Sequence, residues 1–129
     1  MRRSFMDNTY QKIFEILEGL LPKKWEKVVF YAEYSVGSYS MKYFLTTGDD
    51  GYIDCFRLGK PSEEKILRAF LAINRILSPK RAVLPDSKRW SVMTLGVNRN
   101  GSFQADYDYK NHDKSLLTWE ANWKKKYLK

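Results

Sequence analysis

The chain has 129 residues, 43% hydrophobic and 29% charged, with a formal net charge of +8. That is the size and composition of one ordinary globular domain, which excludes a disordered chain. One cysteine, Cys55, excludes an internal disulfide and fits a reducing compartment, and no stretch approaches the roughly 20 apolar residues of a membrane helix.

No apolar run follows Arg2 and Arg3 before the charged Lys12, so no secretory signal is expected and the location is expected to be cytoplasmic. Residues 1–129 are expected to fold as a single domain without a repeat or linker. A first helix is predicted from about Asp7 to Leu21. Tyr10, Ile13, Phe14, Leu17, Leu20 and Leu21 form its apolar stripe, Asp7 is its N-cap and Pro22 its stop. A strand follows over Val28–Tyr34, with Val28, Phe30, Ala32 and Tyr34 on one face and Val29, Tyr31 and Glu33 on the other. A second strand is predicted over Ser40–Thr46 after the turn at Gly37-Ser38. A third, Tyr52–Phe56, follows the turn Asp49-Asp50-Gly51.

Ser62 is placed to cap a second helix, and Glu63 and Glu64 suit the positive end of its dipole. Ile66, Leu67, Phe70, Ile73, Asn74 and Leu77 are read as its inner face. Ser78–Arg89 holds two prolines and several basic residues and reads as a long loop. Trp90–Val97 and Ser102–Tyr109 flank Asn98-Arg99-Asn100-Gly101, a hairpin signal. A last helix is expected over Ser115–Tyr127, with Leu116, Trp119, Trp123 and Tyr127 in one stripe. Trp119 and Trp123, four residues apart, should both pack on the sheet. The order α-βββ-α-ββ-α with short turns predicts an α+β fold, an antiparallel sheet packed with helices.

Chemistry finds few candidates. One His (His112) and one Cys (Cys55) cannot make a common transition-metal site, and no cofactor motif is present. Asp49-Asp50-Gly51 with Asp54 reads as a turn before it reads as a calcium loop. Cys55 reads as a small buried hydrophobe, and His112, in the polar run Lys110–Asp113, as solvated. Asp106 and Asp108 project from one face of a strand and could serve acid–base chemistry, but an exposed polar face is the simpler reading. No catalytic residue and no metal ligand is therefore assigned.

The excess charge is local: residues 75–90 and 110–129 each carry a net +4 and the rest of the chain sums to zero. Such a field favours an acidic partner. Lys80, Arg81, Lys88 and Arg89 are the candidate partner-binding residues, because loops concentrate contacts and Arg pairs bidentately with carboxylates. The Tyr, Trp and Phe residues fall mostly on core-facing stripes, which argues against direct nucleic-acid binding.

Tyr10-Gln11-Lys12-Ile13, Leu21-Pro22, Trp25-Glu26-Lys27 and Tyr31-Ala32-Glu33 occur in this order. They are followed by Gly101-Ser102-Phe103-Gln104-Ala105-Asp106-Tyr107-Asp108-Tyr109, then Trp119, Trp123 and Lys126-Tyr127-Leu128. Together they resemble the YezG-like antitoxin family, immunity proteins encoded beside polymorphic toxins in bacteria, some of them delivered in contact-dependent growth inhibition. The resemblance implies a protein without enzyme activity that binds and blocks a cognate nuclease-type toxin domain in the cytosol. The basic, proline-interrupted segment Ser78–Arg89 departs from the family pattern. Its charge suits an acidic contact surface on the toxin and not nucleic-acid mimicry. The alternative is a small basic nucleic-acid-binding protein.

Overall fold

The N-terminal apolar stripe forms helix α1 (Phe5–Glu18) in the computed structural model, which describes residues 5–48 and 51–129. The helix starts ahead of the expected Asp7, which lies within the helical span. It ends before Gly19, three residues short of the expected end at Leu21. The Leu20 and Leu21 N–H groups bond back to Leu17 and Glu18 carbonyls at 2.8 and 3.2 Å, tightening the last turn.

Helix α2 (Glu63–Ala82) starts as the sequence indicates. Ser62 sits in extended backbone (φ −64°, ψ 155°) and its hydroxyl accepts the Lys65 N–H at 3.2 Å. Replacing Ser62 with Ala should cost about 1 kcal/mol of stability. A denaturation midpoint unchanged from the parent would show that the cap contributes nothing.

The end of α2 corrects the loop expected over Ser78–Arg89. The helix runs through Pro79 to Ala82, and a short 3-10 turn follows at Asp86–Lys88. Pro79 removes one N–H bond close to the C-terminus, where few turns remain to be disrupted, and Lys80 and Arg81 complement the helix dipole there. Ile66, Phe70, Ile73 and Leu77 are buried as expected, but Leu67 is 47% exposed because it lies off that stripe.

By contact the chain divides into two compact units. One takes the residues up to Lys23 with Leu58–Arg89 and holds α1 and α2, which pack together. The other, Lys24–Arg57 with Trp90–Lys129, holds a five-stranded antiparallel sheet and helix α3 (Leu116–Tyr127). Its strands are β1 (Lys27–Ser35), β2 (Ser38–Thr46), β3 (Ile53–Asp54), β4 (Val92–Asn98) and β5 (Phe103–Asp108). The sheet order is β3-β2-β1-β4-β5, and the α+β class and element order match the expectation.

β1 is central, which explains why both of its faces are apolar: Val28, Phe30 and Ala32 are buried on one and Val29 and Tyr31 on the other. Phe30 stands between Tyr43 of β2 and Leu95 of β4, all fully buried. The β4–β5 hairpin turns as predicted at Asn98–Gly101, with Gly101 at φ 94° and the Asn98 N–H on the Ser102 carbonyl at 2.8 Å.

β3 is shorter than the predicted Tyr52–Phe56. Asp54 Oδ1 accepts the Phe56 N–H at 2.9 Å, an Asx turn that draws the backbone out of the ladder into a 3-10 turn at Cys55–Arg57. Asp49 and Asp50 of the expected acidic turn lie outside the described residues.

Candidate functional site

Helix α3 carries Trp119, Trp123 and Tyr127 at four-residue spacing, so all three lie on one face. That face meets the side of the sheet formed by Val29, Tyr31, Phe44 and Val92. Trp123 is 4% exposed, with ring centroids 4.9 Å from Tyr31 and 5.5 Å from Phe44. Its indole N–H donates to Thr94 Oγ1 at 2.9 Å. The Trp119 indole donates to the Tyr31 hydroxyl at 2.9 Å, which in turn donates to Glu33 Oε1 at 2.9 Å. The expectation that both tryptophans pack on the sheet holds. The sequence did not reveal that Tyr31 and Thr94 stand where the two indoles need acceptors, because they come from separate strands.

Strand alternation puts Gln104, Asp106 and Asp108 on this same side, opposite Gly96, Thr94 and Val92 of β4. The polar face of β5 is therefore not simply solvated. Asp106 Oδ2 accepts the Tyr127 hydroxyl at 2.9 Å, and the Gln104 amide reaches its two oxygens at 3.2 and 3.4 Å. Burial and the neighbouring Asp106 push the Tyr127 phenol up to about 12. Asp108 Oδ1 takes the Lys110 N–H and His112 Nε2, both at 2.9 Å. Burial alone would raise the Asp108 carboxyl, but the Lys110 N–H and His112 outweigh it and hold it below the usual carboxylate value.

His112 corrects its solvated reading: its side chain is 12% exposed and its ring stacks on Trp119 at 3.8 Å and 7°. A polar-looking run hides this contact because Trp119 lies on α3, beyond the turn.

Between α3 and β4–β5 runs a groove. One section, about 500 Å³, lies among Thr94, Asp106, Asp108, Trp119, Trp123 and Tyr127. A second, about 280 Å³, continues past Asp106 and Tyr127 towards Gly96. An ionised Asp108 and an Asp106 already committed to Tyr127 and Gln104 suit binding better than proton transfer.

The other candidates sit elsewhere. Lys80 and Arg81 occupy the last turn of α2, and Lys88 the 3-10 turn beyond it. The Arg89 guanidinium is tied inward: to Asp86 Oδ1 at 2.7 Å, the Leu84 carbonyl at 2.6 Å and the Ala82 carbonyl at 3.4 Å. It braces the end of α2. Cys55 is fully buried and burial pushes its thiol up to about 11, which suppresses the thiolate a nucleophile needs. Among the described residues no group of three His, Cys, Asp or Glu could hold a metal ion, and no helix is long and apolar enough to cross a membrane.

With this geometry in place, comparison with known proteins is specific. A family model described as "Immunity protein YezG-like" matches residues 6–129. The chain is also similar to a Bacillus subtilis (strain 168) protein named "Immunity protein YezG", with 27% identity over 111 residues that cover 81% of this chain and 73% of that protein.

Proposed function

The chain belongs to the YezG-like immunity protein family, and from that premise we propose that it neutralises a cognate nuclease-type toxin domain by binding it in the cytosol, without catalysis. The toxin, on this reading, is of the polymorphic or contact-dependent growth-inhibition kind. The observation that carries the reading is the match over residues 6–129, which takes in both compact units. The chemistry of the chain agrees with it: the carboxylates of β5 serve hydrogen bonds, and the one cysteine is buried.

Charge suggests one contact. The helical unit carries twelve Lys and Arg against six Asp and Glu, most of the chain's net +8. Lys80, Arg81 and Lys88 cluster near the end of α2, where they would meet an acidic surface on the toxin.

Co-expression with the cognate toxin domain tests the function directly. Growth should be restored, and the purified pair should form a complex in which toxin activity is lost. Reversing charge with Lys80→Glu, Arg81→Glu and Lys88→Glu should slow association by about tenfold or more at low salt, while the melt stays cooperative and falls only by the small cost of acidic groups at the end of α2. Arg89 is left intact because it holds the Ala82–Asp86 turn. An unchanged association rate would place the interface elsewhere. Tight binding of generic DNA or RNA at physiological salt, with no complex with the toxin, would replace the immunity reading by the nucleic-acid-binding one.

A further inference from the structure

The groove beside α3 brings two carboxylates and two aromatic rings together in a chain of net charge +8. One wall carries the carboxylates of Asp106 and Asp108, and the other the rings of Trp119 and Tyr127 with Lys126 beside them. Aromatic faces and carboxylates share one kind of ligand, a cation that must leave little of its charge unpaired. We propose that this groove is a binding site for a basic side chain, Arg or Lys, carried on an extended segment of the toxin domain.

Three observations point the same way. The chain's own Lys126 places its ammonium 5.2 Å from the centre of the Tyr127 ring, so the rim already receives a cation. Among the described residues both hydrogen bonds to the Asp108 carboxylate fall on Oδ1, and the ionised group retains acceptor capacity at Oδ2. The Gln104 amide lies at 3.2 and 3.4 Å from Asp106, long bonds that a charged donor can replace. The groove continues past Asp106 towards Gly96, where β4 offers no side chain and the flexible Lys27 side chain lies over the position, so that swinging Lys27 aside makes room for the backbone that bears the basic residue.

The inference rests on the immunity reading and deepens it. A nuclease must offer cations to the phosphate backbone of its substrate, and a groove that captures one of them removes it from that task. Next to Asp106 and Asp108 nucleic acid is disfavoured, because their carboxylates repel phosphate.

Two variants test the site with opposite signs, each measured for Kd and salt dependence against a catalytically inactive form of the toxin domain. Asp106→Asn keeps the shape and an acceptor for Tyr127; it should weaken binding about tenfold or more and flatten the salt dependence. Lys126→Glu, at the rim, should tighten binding several-fold by removing a competing cation. A merely structural Asp106 would lower the melting temperature without this pair of opposite effects. If both variants bind as the parent does, or Lys126→Glu weakens the complex, the groove is not the cation site, although the immunity reading stands. If the parent itself forms no complex with the toxin, the immunity reading fails and the groove proposal falls with it.

Discussion

Replacing Trp123 with alanine is expected to cost about 3–5 kcal/mol of folding stability. The residue is 4% exposed and sits at the centre of the α3 contact, with Tyr31, Phe44 and Tyr127 ring centroids within 5.5 Å. Truncation removes the whole indole and leaves a cavity in an interface framed by strands that cannot easily close on it. It also strands Thr94 Oγ1, itself 4% exposed, without the indole donor. A Trp123→Phe variant should recover most of the packing and lose only the hydrogen bond, about 1 kcal/mol plus the smaller ring. Chemical denaturation of the three proteins checks this. Should the alanine variant unfold at the parent's midpoint yet fail to bind the toxin, Trp123 would belong to the interface and not to the core.

The second large effect is a loss of stability in alkali. Burial raises the Cys55 thiol from 9.0 to about 11 and, with Asp106, the Tyr127 phenol from 10.0 to about 12. Burial also raises Tyr31, Tyr43 and Tyr52 above 10.0. Each group keeps its proton in the folded chain at a pH where the unfolded chain has released it. The folded state therefore binds more protons, and stability falls as pH rises. The contributions are complete below pH 9, start to fail as the unfolded thiol titrates near 9.0, and fail further as the unfolded phenols titrate near 10.0. Cys55 alone should account for about 2 kcal/mol by pH 11. Unfolding free energies measured from pH 8 to 11 should decline, and Cys55→Ala should remove the earliest part of the slope. A flat profile over that range would contradict the burial of these groups.

What was legible in the sequence was what neighbours along the chain decide. Hydrophobic period, capping and turn residues act over three or four positions. The stripe of α1, Ser62 at the start of α2, the Asn98–Gly101 hairpin and the Trp119–Trp123–Tyr127 face of α3 could therefore all be read directly. Where local signals compete, the reading failed. Pro79 and the basic run outweighed the helical pattern on paper, while the structure carries α2 through to Ala82. Asp54 offered its own side chain to the backbone and cut β3 short.

The candidate site depended on sequence-distant partners. Tyr31 and Trp119 are 88 residues apart and Tyr127 and Asp106 are 21 apart. No period or spacing announces that a hydroxyl will meet an indole across a helix–sheet contact. The sequence by itself determined the element order, the family pattern and the main apolar stripes of the helices, because those follow from side-chain period and local backbone preference. Only the tertiary structure decided that β4 pairs with β1, that α3 lies across the acidic side of β5, and that two carboxylates and a wall of aromatic rings share one groove. Strand pairing and helix docking join residues that only the packed chain brings together, and the chemistry of the groove exists nowhere in the chain until they do.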